Sequence, residues 1–517
     1  VKRRRGIVLV VLGILASAAG LFWALSPSLP PLESRNPSAA FADTSATRLA
    51  KAVLPLVQAH PGTSGIHPLR DSRDAFAARV LLARAAERSL DVQYYIWRND
   101  MSGTLLCEAL HEAAQRGVRV RLLLDDNNTA GLDEKLAVLD AHPNIEVRLF
   151  NPFVIRSPRW IGYVTDFSRL NRRMHNKSFT ADNQVTIIGG RNVGDEYFGA
   201  ADDMVFSDVD VMAIGPVVAD VSSDFDRYWT SNSSYPVAQL LPLPAPQAAN
   251  RLLTAASLIE RDRAAASYMD AVRELPFMRD MMDGRLAFTW AATRMISDDP
   301  AKGLGLAAPE ALVPAKLAAI VGAPGARADL VSAYFVPGAQ GTEALASMAR
   351  RGVAVRVLTN SLSATDVTAV HAGYAKRRQA LLEAGVALFE LRGSPVPHEK
   401  HPLGGSRASS LHAKTFAVDG ARVFIGSFNF DPRSAELNTE MGFVIESATL
   451  AQALATALDD SIAAGRSYEV RLSDRGDLYW LERRGTEVVR HDTEPRTTFW
   501  QRAGIGFVQW LPIEWLL

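Results

Sequence analysis

The residues best suited to chemistry come as a matched pair. His175, Lys177 and Asp182 stand at H-x-K-x4-D spacing, and the spacing recurs at His412, Lys414 and Asp419. Each triplet is followed by a glycine turn and an asparagine, Gly189-Gly190-Arg191-Asn192 and Gly426-Ser427-Phe428-Asn429. His412 and Asn429 lie 237 positions beyond His175 and Asn192, so the two constellations are in register. In extended chain, residues two apart project to one face, which sets each histidine beside its lysine. Two lysines and two asparagine amides can neutralise and orient the non-bridging oxygens of a phosphodiester as charge spreads over them in the transition state. A neutral imidazole can attack phosphorus while a second, protonated imidazole donates to the departing alcohol. The roles then reverse: a new alcohol gives transfer, water gives hydrolysis, and either course retains configuration at phosphorus.

Strands must carry these groups, and the chain repeats them. Arg116-Gly117-Val118-Arg119-Val120-Arg121-Leu122 reappears as Arg351-Gly352-Val353-Ala354-Val355-Arg356-Val357, each copy after a helix-like stretch. Upstream lie further strand candidates, Leu90 to Trp97 and Leu330 to Val336. The order strand, helix, strand in both halves predicts βαβ units and a largely parallel or mixed sheet. Leu241 to Pro246 breaks regular structure between the halves, and Ala248 to Met295 reads as mainly helical. Tyr468 to Arg490, with turns at Asp474 to Asp477 and Arg484-Gly485, predicts a small β meander. Cys107 is expected as a small buried hydrophobe, and Tyr94, Tyr95, Tyr334 and Phe335 as core or cleft wall. His398-Glu399-Lys400-His401 lacks H-E-x-x-H spacing and reads as loop between Pro397 and Pro402.

A chain of 517 residues is long enough for two to four domains, and 48% hydrophobic with 22% charged residues marks it as globular. Its formal charge is zero, so no basic excess points to nucleic acid. The single cysteine excludes an intramolecular disulfide and a multi-cysteine metal site. Lys2 to Arg5 precede an uncharged, mostly apolar run from Gly6 to Leu25, about the length that crosses a hydrocarbon core. It predicts a membrane anchor or signal with the remaining chain outside the cytoplasm. Trp480, Trp500, Trp510 and Trp515 crowd the last 38 residues, with Phe499, Phe507, Leu511, Ile513, Leu516 and Leu517 beside them. Such a segment suits the headgroup level of a bilayer, with packing on the domain body as the alternative.

The paired motifs resemble the two HKD motifs of the phospholipase D superfamily, over roughly Leu69 to Glu446. Arg173 to Phe179, Gly189 to Phe198 and Gly426 to Ser434 are most similar to its bacterial cardiolipin synthase branch, C type. The resemblance implies an α/β fold of two pseudo-symmetric α-β-α lobes that share one active site without a metal or cofactor. It divides the chain into a membrane segment (1–25), linker (26–46), first lobe (47–245), helical connector (246–305), second lobe (306–465) and a C-terminal β-containing extension (466–517). It implies transfer of a phosphatidyl group to phosphatidylglycerol through a phosphohistidine; a phospholipase D-type hydrolase and a nuclease are the alternatives. The expected partners are phosphatidylglycerol, phosphatidylethanolamine and the bacterial cytoplasmic membrane, with no nucleic acid. His175 is expected as nucleophile and His412 as acid and then base, with Lys177 and Lys414 on the phosphoryl group and Asn192, Asn429 and Ser427 binding substrate. Asp182 and Asp419 complete the catalytic motifs and read as supports of the strand-to-turn geometry. Each histidine needs an acceptor on its second nitrogen: Glu440 is expected for His412, and Asp208, ahead of Asp210, for His175.

Overall fold

A computed structural model describes residues 28–33, 35–200, 206–393, 410–463, 465–511 and 514–517. The first half contributes β1 (Ser64–Leu69), β2 (Ser89–Ile96), β3 (Arg119–Asn128), β4 (Ile145–Phe150), β5 (Ser178–Ala181), β6 (Val185–Gly189), β7 (Phe206–Ser207), β8 (Asp210–Ile214) and β9 (Ser234–Pro236). After β10 (Thr289–Ser297) the second half contributes β11 (Arg327–Ser332), β12 (Ala354–Asn360), β13 (Ala387–Leu391), β14 (Ser410–Leu411), β15 (Lys414–Val418), β16 (Arg422–Gly426) and β17 (Met441–Glu446). The chain closes with β18 (Ser467–Leu472), β19 (Leu478–Arg484) and β20 (Glu487–His491).

The repeat seen in the sequence is a repeat of topology. In the first half the strands run β9-β4-β3-β2-β5-β6-β8-β1, with β2, β3 and β4 parallel and the other pairs antiparallel. The second half runs β17-β16-β15-β11-β12-β13, with β11, β12 and β13 parallel. The duplicated Arg-Gly pair ends a helix in both copies, Met101–Gln115 and Gly338–Arg350. Gly117 and Gly352 take φ of 92° and 90°, a conformation that only glycine adopts without strain, and this turns the chain into the next buried strand.

One strand joins the halves. β10 pairs with β1 at its start and with β17 along the rest, making one mixed sheet of 18 strands among the described residues. The connector is therefore helical only over Ala248–Arg261, Arg263–Arg273 and Pro276–Met282. Its end, rich in β-branched and aromatic residues (Thr289, Trp290, Thr293, Ile296), is sheet. Ile66, Val211 and Ala213 meet Ile425, Phe443 and Ile445 in a buried core shared by both halves. The strand expected over Leu330 to Val336 begins at Arg327 and ends at Ser332, because Phe335 leaves the sheet to pack on Tyr374 and Phe430.

The meander forms as expected, and β18 extends the second half's sheet by pairing with β13. Cys107 is buried in the helix Met101–Gln115. The expected spacer lies on the first half from Arg35 onward: Arg121 donates to the Ser38 carbonyl, Arg148 to that of Asn36, and Arg119 covers the Phe41 ring. The expected membrane segment and the His398 to His401 loop fall outside the described residues. Among the described residues no helix is long and apolar enough to cross a membrane.

Candidate active site

Each motif histidine stands just before its strand, and the opposite half holds it there. β14 pairs in parallel with β7, and the His412 and Ala413 amides donate to the Ser207 carbonyl at 2.8 and 3.1 Å. Correspondingly, Met174 bridges Thr439, and the His175 amide donates to the Thr439 carbonyl at 2.9 Å. The residues that follow these two carbonyls are Asp208 and Glu440. Because each belongs to the other half, the acceptors are exchanged relative to the expectation from sequence. His175 Nδ1 lies 2.9 Å from Glu440 Oε2, and His412 Nδ1 lies 2.6 Å from Asp208 Oδ2. With Nδ1–H given to a carboxylate, Nε2 of each ring is the atom left for chemistry. Asp210 serves elsewhere, paired with buried Arg79 at 2.7 Å.

Burial shapes the acidities. It holds the His175 imidazole well below its usual value, reinforced by Lys177 and Lys414. It lowers His412 as well, again with Lys414, but here the hydrogen bond to Asp208 pulls the other way. Burial would raise Asp208, yet Lys414 and the hydrogen bond from His412 outweigh it and hold the carboxyl below the ordinary range. Glu440, buried behind His175, is pushed up to about 7. Burial brings Lys177 down to about 7 and Lys414 to about 8. Two desolvated ammonium groups beside the two imidazoles make a site that gains from binding an anion.

The remaining expected residues divide by role. Asp182 and Asp419 stand in matched left-handed turns, φ 51° and 53°, and face away from the histidines. The Asp182 carboxylate accepts the amides of Glu87, Arg88 and Ser89, and that of Asp419 accepts Gly325, Ala326 and Arg327. They clip the strand-to-turn geometry and touch no reacting group. Ser427, expected to bind substrate, donates to Glu440 and accepts the Met441 amide at 3.0 Å, so it fixes the carboxylate instead. Asn192 accepts the Ile96 amide at 3.1 Å, and the buried Asn429 amide oxygen has no partner among the described residues.

Beside Tyr95, expected as core or cleft wall, two further groups stand at the site that the sequence did not single out. The Tyr95 ring meets His175 edge to face at 4.8 Å, and Tyr197 meets His412 at 5.2 Å. Tyr95 is thus cleft wall, whereas Tyr94 is core, its hydroxyl accepting from Arg79. Behind Glu440, Asp298 accepts the Glu440 amide and pairs with Lys302, both at 2.8 Å. The i, i+4 spacing of Asp298 and Lys302 was visible, but nothing local connects it to a residue over 130 positions away.

A two-fold set of histidine, lysine and asparagine gathered from both halves of one sheet defines a phosphodiester-transfer site of the phospholipase D kind. The chain belongs to the family described as cardiolipin synthase, PLD-like domain, which matches residues 81–229 and 318–461. It is 54% identical to cardiolipin synthase C of Escherichia coli K12 over 474 residues, 91% of this chain and 100% of that protein. An uncharacterized protein of Helicobacter pylori J99 is 32% identical over 86% of this chain and 88% of its own length. Among solved structures, phosphatidylserine synthase of Haemophilus influenzae Rd KW20 shares the fold, with TM-score 0.56 and 12% identity, covering 91% of this chain and 100% of that one.

Proposed function

We propose that this chain is a phosphatidyltransferase that makes cardiolipin. The observation that carries the reading is the reciprocal pairing of His175 with Glu440 and His412 with Asp208, which leaves Nε2 of each ring for one shared phosphoryl group. The family match and the 54% identity to a cardiolipin synthase give the reaction its direction. His175 is the nucleophile, since its imidazole is the harder of the two to protonate, while Asp208 favours the imidazolium of His412. His175 Nε2 attacks phosphorus and the His412 imidazolium gives its proton to the departing alcohol oxygen, leaving a phosphatidyl group on His175. Neutral His412 then takes the proton of a phosphatidylglycerol hydroxyl, whose oxygen displaces His175. Lys177 and Lys414 hold the non-bridging oxygens, with Asn192 and Asn429 beside them.

The enzyme works at a membrane, with its N-terminal apolar segment as anchor and its catalytic portion outside the cytoplasm. A reporter that is active only in the periplasm, fused after Leu517, tests this orientation; signal only from a cytoplasmic reporter would refute it. The reaction is tested by reconstitution with phosphatidylglycerol, with and without phosphatidylethanolamine. Cardiolipin with release of glycerol or ethanolamine is expected, and the alcohol released names the donor. Phosphatidic acid as the only product would replace transfer by hydrolysis.

A further inference from the structure

The helix Phe499–Trp510 is amphipathic in the wrong sense for a soluble protein. At about 100° per residue, Phe499, Trp500, Phe507 and Trp510 fall within one arc of roughly 100°. That face points to solvent: Trp500 is 80% exposed, Phe507 68% and Trp510 91%. The opposite side seats Ile505 against Leu362 and Ala372, and the N-terminus is secured by a capping box of Thr498 and Gln501. The end of the chain is equally fixed, with Glu514 paired to Arg377 at 2.8 Å. Trp480, by contrast, is buried and donates to Glu390, so the aromatic tail divides into a packed part and a displayed part.

The first half displays a second set of the same kind. Trp160 and Val164, one turn apart on a short helix, are 66% and 73% exposed, and Phe167 opens the next turn, also exposed. A single side chain ties the two sets together. Arg433 donates from Nε to the Leu516 carbonyl at 2.9 Å and from its two terminal nitrogens to the carbonyl and side chain of Asn171 at 3.1 and 2.8 Å. Arg433 lies four residues after Asn429 and opens the helical turn Arg433–Leu437 that follows the second motif. On the short helix of Trp160 and Val164, Tyr163 turns inward, its hydroxyl donating to Asn127 at 2.6 Å; the Asn127 and Met174 amides both donate to the Asp125 carboxylate, at 2.9 and 2.7 Å, and Met174 directly precedes His175. The displayed aromatics of both halves are therefore anchored to chain that leads directly into the two motifs.

We propose that these two patches are one membrane-docking face, which lays the mouth of the cleft against the lipid headgroups. The occupant is a bilayer because the exposed groups are tryptophans and phenylalanines on anchored elements, continuous with a site whose substrate must be drawn from lipid. This rests on the proposed lipid substrate. Docking lowers the cost of reaching a phosphodiester that never leaves the interface, and it acts apart from the N-terminal segment.

The test uses the full chain reconstituted in phosphatidylglycerol vesicles, with the variants Trp500→Ser/Phe507→Ser/Trp510→Ser and Trp160→Ser/Val164→Ser/Phe167→Ser. Each is compared on bilayer substrate and on short-chain phosphatidylglycerol dispersed as monomers. Turnover of bilayer substrate is expected to fall at least about tenfold in each variant, through KM, while that of monomers stays within about twofold. Brominated lipid should quench tryptophan emission in the wild type and less in both variants. Unchanged bilayer turnover and unchanged quenching would overturn the proposal, and a face made for a protein partner would give that result. If the wild type turned over neither lipid, the lipid reading of the cleft would fail, and quenching alone would still decide whether the face docks.

Discussion

A histidine with its Nδ1 proton committed to a carboxylate is a directional tool, so removing either ring should leave nothing to act in its place. His175→Ala and His412→Ala are each expected to lose about 10³-fold or more of turnover while remaining folded by circular dichroism. Either folded variant keeping half its activity would end the two-histidine mechanism. The exchanged acceptors make a sharper claim. Asp208→Asn should impair the acid-base step at His412, and Glu440→Gln should slow formation of the phosphohistidine on His175, each by about 10²- to 10⁴-fold. Rapid-quench capture of phosphorylated His175 separates them, since Asp208→Asn is expected to slow both formation and discharge of that intermediate. The lysines set the pH dependence. Their folded values near 7 and 8 lie below the ordinary lysine value, so the charged forms needed for phosphoryl binding are lost as pH rises through that window. The protonated form of His412 is lost in the same direction. kcat/KM should therefore fall from about pH 7 upward, whereas bound phosphoryl holds the protons on and moves the fall in kcat to higher pH. A kcat/KM that stays level to pH 9.5 would contradict the assignment.

At the scale of elements, the two aspartates that complete the motifs are clips between a strand and the turn before its neighbour. Asp182 is fully buried and Asp419 partly exposed, so equal chemistry should carry unequal weight. Asp182→Ala is expected to cost about 2–3 kcal/mol of stability, because three amides lose a charged acceptor in the interior. Asp419→Ala should cost about 1 kcal/mol, since water can replace the carboxylate there. Urea unfolding measures both, and loss of turnover in a variant of unchanged stability would make the residue a participant in the reaction. Gly190 shows the same dependence of site on element: a Cβ there would collide with the Asp208 carboxylate and displace the acceptor of His412.

For the whole molecule, the halves are held by more than the chain between them. β10 bridges β1 and β17, Ile66 and Val211 pack with Phe443 and Ile445, and each histidine is bonded to the far half. The stretch around Leu243, 92% exposed, takes little part in this. A protease site inserted between Pro244 and Ala245 should thus yield a nicked protein that elutes as one species and keeps at least about half its activity. Separation of the fragments in native buffer, or loss of turnover on nicking alone, would show that the covalent link is needed.

The sequence by itself determined the repeat and the class of chemistry, and it offered the histidines and lysines to perform it. Two H-x-K-x4-D motifs in register are a local pattern, and a local pattern survives without a fold. The same holds for the Arg-Gly turns, the meander and the buried Cys107, which follow from spacing and from glycine. Partner choice across the site was decided only by tertiary structure. Asp208 and Glu440 were both visible as acceptors, yet each was given to the wrong histidine, because sequence proximity favours the acceptor of the same half. The halves face each other, so the nearest carboxylate in space belongs to the opposite copy. Ser427 changed role for a related reason, its hydroxyl being spent on a carboxylate brought to it by β17. The ring of Tyr197 against His412 and the strand at the end of the connector are also properties of packing, which no periodicity along the chain reveals, whereas the tail aromatics were expected at a lipid surface and the fold decided which of them are displayed.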